Sequence, residues 1–478
     1  MKRICLLASL LLSGGCTSHV LVEHFDFVDN TDTFSLVYSY VDSFLNANEG
    51  LPLPYNPAID TLEGKRVVIR GGGQVAAGDP CRGMLTPDVA SLSRDDFYAL
   101  HIVARPTQVN LQYNIQPVVL ADGSVDNAVI PADHDSLAML TAYVHLDRVQ
   151  AFLRDVLKDD SRAATTRAVG LFDPEAVVSC SVPGLGGPSV PLILSDNAAY
   201  NPSADVFILL RDALPTAEVA LGTNPGVLAH EFGHRVFEQN LYISDEAFRR
   251  KVQELYGGQD FCTDDTPDDE IDDCKASTLL QKGINEGFAD IIAYTYMGRP
   301  DFGFTRSLSY DENEPSTRDR NFAVELDPER DFIIYDEAYV RQAEEGTLSY
   351  YFLGTLFGRG FYHGITNPQT GAAPVDEDER VELARTVYTP AMLRALRRLG
   401  EDYLVNARFD PRQVIRRFLQ ELPATTGNDA RSGMCQAMCD RFGRLEYPAP
   451  VNNVAAQCTG FTGKNALVKN GGTFPCQL

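Results

Sequence analysis

Basic residues, tryptophan and long hydrophobic runs are the scarce features of this 478-residue chain. Lys and Arg number 41 against 66 Asp and Glu, which gives a formal net charge of −25. A surface this acidic repels phosphate backbones, so nucleic acid is excluded as a partner. Gly and Pro number 37 and 27, close to average usage, which excludes a collagen-like or low-complexity chain. The 44% of hydrophobic residues is enough to bury a sizeable core.

The one marked hydrophobic run stands at the start of the chain. Met1–Arg3 is basic, Ile4–Leu12 is mainly apolar, and Ser13-Gly14-Gly15-Cys16 follows. This pattern predicts an export signal over residues 1–15, and no later run reaches the 18 apolar residues of a membrane span. The segment resembles a bacterial lipoprotein signal. That resemblance implies a lipid anchor on Cys16 and a place at the outer membrane, facing the periplasm or the cell surface. An ordinary secretory signal with an incidental cysteine is the alternative.

Cysteine usage agrees with export. A Cys-rich metal site is the competing interpretation, and it is disfavoured because the spacings contain no Cys-x-x-Cys. Eight cysteines remain after Cys5 and Cys16, and an even number in an exported chain predicts up to four disulfides. We expect Cys262 and Cys274 to close an acidic loop. The last four are expected to tie down the C-terminal tail. The eight are Cys81, Cys180, Cys262, Cys274, Cys435, Cys439, Cys458 and Cys476.

Hydrophobic periodicity predicts mainly strands before residue 130 and mainly helices after residue 300. The predicted strands are residues 66–70, part of 109–119, 191–194 and 206–210. The predicted helices are residues 135–156, 225–239, 276–296, 348–357, 390–399 and 411–422. Asn224 is suited to cap the second of these helices, and Pro225 is suited to its first turn.

An acidic loop is expected at Asp264–Asp273, between two of these helices. Dense carboxylates suit a hard cation such as Ca²⁺. The segment lacks the spacing and the glycine of an EF-hand loop, so a solvated insertion is the preferred interpretation. Calcium stays the alternative.

The strongest chemical signal is His230-Glu231-Phe232-Gly233-His234, within the predicted helix over 225–239. Residues four apart on a helix share a face, so His230 and His234 can bind one zinc ion together. Glu231 is then left to act as general base on the metal-bound water. Apolar neighbours on both sides of the motif favour a buried site over a chance match.

A second pair of residues supplies the missing ligand. Glu286 and Asp290 are also four apart, in Asn285-Glu286-Gly287-Phe288-Ala289-Asp290 on the next long helix. Glu286 would complete a site of two His and one Glu with an open fourth position. Asp290 would accept a hydrogen bond from the free ring nitrogen of a ligand histidine and so fix its orientation. An apolar setting would not bury two such carboxylates unpaired.

The two motifs resemble those of the gluzincin metallopeptidases, and the thermolysin-like group in particular. The segment Asp196–Tyr200 resembles the edge strand of that group, which implies that Asn197 and Ala198 pair with substrate backbone. Thr141–Arg148 resembles the helix that precedes that strand. The resemblance implies an α+β zincin-like fold: a mixed sheet over the two motif helices, followed by a mainly helical half. It also implies hydrolysis of a peptide or protein substrate through a zinc-activated water.

The motifs divide the chain into five regions. They are a signal over 1–15, an N-terminal β-rich region over 16–130, a zinc-binding catalytic subdomain over 131–300, a helical subdomain over 301–422 and a Cys-rich tail over 423–478.

The residue that would stabilise the oxyanion, as the resemblance to the family implies, stays open. Tyr339, Tyr350 and His363 are the candidates, and packing is the simpler role for each.

Two other functions remain as alternatives. The first is a non-catalytic zincin-fold lipoprotein that keeps its metal for stability and serves as a binding or scaffold protein. The retained Glu231 argues against it, because a structural metal site needs no base beside it. The second is an aminopeptidase-type gluzincin, which would show a motif like Gly-x-Met-Glu-Asn for the substrate N-terminus. The sequence contains no such motif.

Overall fold

The computed structural model describes about three fifths of the chain, in segments that include all of the helices and strands named below. The described residues are 19–27, 34–42, 61–76, 93–104, 115–119, 123, 125–131, 133–177, 189–191, 198–210, 224–256, 268–301, 320–324, 350–406 and 413–441. None of the helices in these segments is both long and apolar enough to cross a membrane.

The described segments form an α+β structure with more helix than strand. The strands are β1 (His19–Phe27), β2 (Phe34–Asp42), β3 (Val67–Gly71), β4 (Gln74–Ala76), β5 (Ile102–Ala104), β6 (Ile115–Val119), β7 (Val125–Pro131), β8 (Ala168–Phe172), β9 (Glu175–Val177), β10 (Ser189–Pro191), β11 (Ala198–Asn201) and β12 (Val206–Leu209). The helices are α1 (Arg94–His101), α2 (His134–Asp155), α3 (Arg162–Thr165), α4 (Pro225–Leu241), α5 (Asp245–Tyr256), α6 (Asp268–Met297), α7 (Tyr350–Gly364), α8 (Glu377–Leu383), α9 (Thr389–Asn406), α10 (Gln413–Glu421) and α11 (Asn428–Arg441). A π-helical turn, Ala384–Tyr388, joins α8 to α9.

The strands form three mixed sheets of four strands each. Their orders are β2-β1-β7-β6, β10-β9-β4-β5 and β11-β12-β8-β3. In the third sheet, β3, β8 and β12 run parallel and β11 returns antiparallel to β12 at one end. Because β3 pairs with β8, strands from both sides of residue 130 share one sheet. This sheet therefore contains strands of the predicted β-rich region and of the predicted catalytic subdomain.

Local signals explain where the principal helices begin and end. The Asn224 side chain accepts hydrogen bonds from the backbone N–H groups of Gly226 and Val227, and Pro225 occupies the first turn of α4. Asp133 caps α2 in the same way, through Ser136. Helix α6 ends before Gly298, whose φ of +72° suits glycine. The predictions for these boundaries are confirmed to within a few residues.

Helices α4 and α6 lie in the main hydrophobic core and approach each other backbone to backbone. Phe232 and Phe237 of α4 and Phe288 of α6 are completely buried. A Cβ placed on Gly233 would lie 2.5 Å from the Ala289 Cα, so only glycine fits there. Gly233 stands between the two histidines, and Ala289 stands between Glu286 and Asp290. This contact therefore sets the distance between the two motifs.

Three expectations from the sequence need correction. Helix α6 begins at Asp268 rather than near residue 276, so Asp268–Asp273 forms its first turns and not part of a loop. Carboxylates near a helix N-terminus are favoured by its dipole, which explains why an acidic run can start a helix. Asp268–Asp273 are therefore not part of the acidic loop that was considered for Ca²⁺ binding. The tail beyond residue 423 also contains a helix, α11, that the pattern did not predict.

Helices α1 and α5 are the third correction, because neither was predicted. Each begins after a serine whose hydroxyl accepts a backbone hydrogen bond three residues on, from Asp96 to Ser93 and from Ala247 to Ser244. Acidic residues occupy both first turns. These are ordinary N-terminal capping signals.

Most of the predicted disulfides lie outside the described side chains and stay predictions. Cys435, on α11, is completely buried and is bonded in a disulfide whose partner is outside the described side chains.

Candidate metal and catalytic site

The site is built where α4 and α6 meet, and it brings five of the sequence-predicted residues together: His230, Glu231, His234, Glu286 and Asp290. The Nε2 atoms of His230 and His234 are 3.0 Å apart. One carboxylate oxygen of Glu286 lies 3.3 Å from His230 Nε2. The other lies 3.6 Å from His234 Nε2. Three donor groups on two helices therefore face a common point.

These spacings fit a tetrahedral metal ion. Zinc–nitrogen bonds are about 2.0–2.1 Å long, so two donors of a tetrahedral site lie roughly 3.3 Å apart. His230 Nε2 lies close to that distance from two other donors, 3.0 Å from His234 Nε2 and 3.3 Å from Glu286 Oε2. The 3.6 Å distance from His234 Nε2 ends on the other oxygen of Glu286, Oε1. His230, Glu231 and His234 also offer donor atoms within 4.8 Å of one another. The cluster could hold a metal ion.

Helix α6 orients both histidine rings through their other nitrogens. His230 Nδ1 lies 2.8 Å from an oxygen of Asp290, whose side chain is completely buried. This is the supporting contact that the sequence predicted for Asp290. His234 Nδ1 lies 3.0 Å from Asn285 Oδ1. Such partners fix ring orientation and leave Nε2 to face the metal position. The role of Asn285 was missed, although it opens the second motif.

Glu231 lies beside the histidine pair, and its side chain is hydrogen-bonded to strand β11. The Tyr200 backbone N–H donates to its Oε2 over 2.7 Å. Its other oxygen, Oε1, lies 4.0 Å from His230 Nε2. Burial raises the pKa of Glu231, and the neighbouring histidines oppose that rise in part. The carboxylate is thus fixed at one oxygen, with the other directed to the metal position.

Arg320 is a further component of the site that the sequence analysis did not identify. Its guanidinium donates to both oxygens of Asp290, over 2.7 and 3.0 Å, and to Glu286 over 3.2 Å. The arginine lies 30 residues or more from its partners along the chain and carries no local motif. It places a positive charge against two largely buried carboxylates.

These charges shift the pKa values of Glu286 and His230. Burial alone would raise the pKa of Glu286, but the two histidines and Arg320 outweigh it and lower that pKa to about 2. Burial and Arg320 would lower the pKa of His230, yet the hydrogen bonds to Asp290 and Glu286 raise it to about 9. Without a metal, a proton on His230 serves as the cation between the carboxylates. A metal ion must displace that proton.

The predicted substrate-contacting residues are only partly described. Ala198 begins β11, pairs with Leu209 and is buried. Asn197 lies outside the described residues, as does Tyr339. Tyr350 begins α7, and its side chain is not described. His363 packs edge-on to Tyr362, with ring centroids 5.1 Å apart. Gly354 is the residue of α7 that packs against Glu286. His363 lies nine residues after it and is therefore roughly 13 Å along the helix from that contact.

Helix α7 supports the third ligand from behind. A Cβ on Gly354 would lie 2.7 Å from both the Glu286 Cβ and the Gly287 backbone nitrogen. Two helices can approach this closely only where side chains are absent. The position of Glu286 therefore depends on Gly354 of the neighbouring helix as well as on Gly287, which follows Glu286 in α6.

We expect Gly354→Ala to weaken metal binding by about tenfold or more, because α7 must move away from Glu286. The same movement should lower the free energy of unfolding by about 1–3 kcal/mol. Gly433→Ala is the matched control. Gly433 is also helical, and nothing lies within 4 Å of a Cβ placed there. That change should raise stability by up to about 1 kcal/mol. The same direction of change in both variants would contradict the packing argument.

We expect His230→Ala and Glu286→Ala each to lower metal affinity by more than the roughly 10–100-fold typical of losing a supporting partner. Metal content after dialysis against a weak chelator measures the effect. Glu238→Ala is the control, because Glu238 lies on the same helix and pairs with Lys251 instead. Unchanged metal content in both ligand variants would remove this cluster from consideration as a metal site.

No protein-family model matches the sequence, and a comparison with curated proteins gives no significant match. Functional assignment therefore rests on the geometry of the cluster.

Proposed function

We propose that the chain is a zinc-dependent endopeptidase. The observation that carries the proposal is the placement of Glu231: one carboxylate oxygen is held by the Tyr200 N–H, and the other lies 4.0 Å from His230 Nε2. With His230, His234 and Glu286 as the proposed ligands, a metal kept only for stability has no need of a second carboxylate held beside it. This favours a hydrolase over the scaffold alternative.

Zinc is the proposed metal because two imidazoles and one carboxylate in tetrahedral spacing, with a fourth position open, are a typical catalytic zinc set. When bound, the ion acts as a Lewis acid that polarises the scissile carbonyl and acidifies a water molecule. His230, His234 and Glu286 would hold it. Asp290 and Asn285 keep the two rings in the ligating orientation.

Glu231 would act as the general base. Its Oε1 accepts a proton from the attacking water and then donates it to the leaving amine nitrogen. The Tyr200 N–H keeps Oε2 in place through both transfers. Burial raises the pKa of Glu231, which brings the carboxylate closer to the range in which it can also act as an acid.

A peptide is the proposed substrate because the base is attached to the end strand of a sheet. Strand β11 is the last strand of its described sheet. An extended peptide can add to such an end strand through main-chain hydrogen bonds, as Asn197 and Ala198 are expected to provide. Export and a lipid anchor on Cys16 stay predictions, because residues 1–18 lie outside the described segments.

The direct test is hydrolysis of an internally quenched casein-derived substrate by the full chain, with and without a zinc chelator. We expect cleavage that the chelator abolishes and added zinc restores. Blocking the substrate N-terminus separates an endopeptidase, which is unaffected, from an aminopeptidase, which stops. Absence of cleavage by protein shown to contain zinc would contradict the proposal and favour the scaffold alternative.

A further inference from the structure

Strand β11 is attached to helix α4 by a buried polar cluster that the proposed chemistry does not use. The Tyr200 hydroxyl donates to Asp205 Oδ1 over 2.9 Å. The Arg235 guanidinium donates to both Asp205 oxygens, over 2.8 and 3.1 Å. Arg235 directly follows His234, and its side chain is completely buried. The cluster therefore connects the residue that holds Glu231 to the helix that carries Glu231.

Arg235 is anchored at several further points, so it is a fixed support. Its guanidinium also donates to the Ala163 carbonyl over 3.2 Å and to the Thr166 hydroxyl over 3.0 Å. A completely buried guanidinium is costly unless its donors are satisfied, and here carboxylate, carbonyl and hydroxyl oxygens satisfy them. Its removal would leave the Asp205 carboxylate without its cation.

The backbone at Asp205 is consistent with a residue kept for its contacts. Asp205 has a φ of +51°, in the left-handed region that costs energy for any residue except glycine. It ends the turn between β11 and β12. That turn is closed by the Asn201 side chain, which accepts from the N–H groups of Ser203 and Ala204. Strain of this kind persists where surrounding contacts fix the residue.

We propose that the cluster of Arg235, Asp205 and Tyr200 positions the general base, because it fixes the strand whose N–H holds Glu231. This inference rests on the proposed function, since it assigns a purpose to the contact between Tyr200 and Glu231. The hydrogen bonds that Tyr200 and Arg235 donate to Asp205 fix the distance between β11 and α4. The Tyr200 N–H is thereby kept within hydrogen-bond distance of Oε2, while Oε1 keeps its direction to the histidine pair.

The test compares four zinc-loaded forms of the full chain: unaltered, Tyr200→Phe, Asp205→Asn and Tyr98→Phe. Tyr200→Phe removes only the hydroxyl and keeps the backbone N–H and the ring. Asp205→Asn removes the charge and keeps a residue that tolerates a positive φ. Tyr98→Phe is the matched control, because the buried Tyr98 hydroxyl accepts its 2.9 Å hydrogen bond from Gln239 of α4 and not from Arg235.

Two readouts are needed: kcat and KM on a short quenched peptide, and amide-hydrogen exchange of residues 198–201. We expect faster exchange and a fall in kcat of about tenfold in Tyr200→Phe and Asp205→Asn, with KM and zinc content nearly unchanged. Tyr98→Phe should change neither. Faster exchange with an unchanged kcat would overturn the inference, as would an equal loss of kcat in the control.

The exchange readout keeps this inference separable from the proposed function. If the unaltered chain cleaves no peptide, the proposed function fails on its own. Exchange at residues 198–201 then decides the positioning role. Faster exchange in Tyr200→Phe but not in Tyr98→Phe supports the attachment of β11 to α4, and equal exchange in all forms overturns it.

Discussion

Replacing Glu231 by Gln is expected to reduce peptide hydrolysis by roughly 10²–10⁴-fold and to leave the metal in place. The amide has the same shape and still accepts the Tyr200 N–H bond through its oxygen, but it cannot take a proton from water. The ligands His230, His234 and Glu286 are untouched. Steady-state kinetics and metal analysis of the same protein sample measure both quantities together.

Glu238→Gln is the control for this substitution. Glu238 lies two turns after Glu231, on nearly the same side of α4, and forms an ion pair with Lys251. Its change should leave kcat and metal content within about twofold, since Glu238 pairs with Lys251 and not with a residue of the site. Loss of metal in Glu231→Gln would indicate that Glu231 is a ligand rather than a base. Full activity would exclude it from the chemistry.

The parts of the site that the sequence predicted correctly are those encoded by short-range spacing. His230 and His234 share a helix face because they are four residues apart, and the same holds for Glu286 and Asp290. The helix that carries the histidines was predictable from its cap, Asn224. Local chemistry of this kind needs no knowledge of the rest of the chain.

The parts that could not be predicted depend on contacts between distant segments. The Tyr200 contact with Glu231 uses a backbone N–H, which every residue except proline carries, so no sequence signal marks it. Arg320 reaches Asp290 across 30 residues from a segment without a motif. Arg235 could have been questioned, because a charged residue inside an apolar helix face requires a partner. Its partner Asp205 is still specified only by the fold.

The start of α6 shows a different limit. The acidic run Asp268–Asp273 has no apolar periodicity, so it resembled a solvated loop. In the structure it begins the helix that carries Glu286. Acidic residues at a helix start gain from the dipole and need no buried face. Periodicity therefore detects a helix through its apolar face and misses a first turn made of acidic residues.

Arg320→Ala is expected to destabilise the metal-free chain by about 3–5 kcal/mol, because it leaves Glu286 and Asp290 buried with one cationic neighbour fewer. The Asp290 side chain is completely buried and accepts two hydrogen bonds from Arg320. The two histidines would then remain beside Glu286, and His230 beside Asp290. Denaturant unfolding of the metal-free chain measures the loss.

The same substitution should cost less when zinc is bound. The metal would pair with Glu286 directly, leaving Arg320 to balance mainly Asp290. Removing the arginine should therefore raise the gain in stability that zinc provides. Arg299→Ala is the control, since the Arg299 ion pair with Asp301 is more exposed and is expected to contribute under about 1 kcal/mol with or without metal. Equal losses for Arg320→Ala in the two states would show that Arg320 fixes residues 320–324 in place and does not balance the ligand charge.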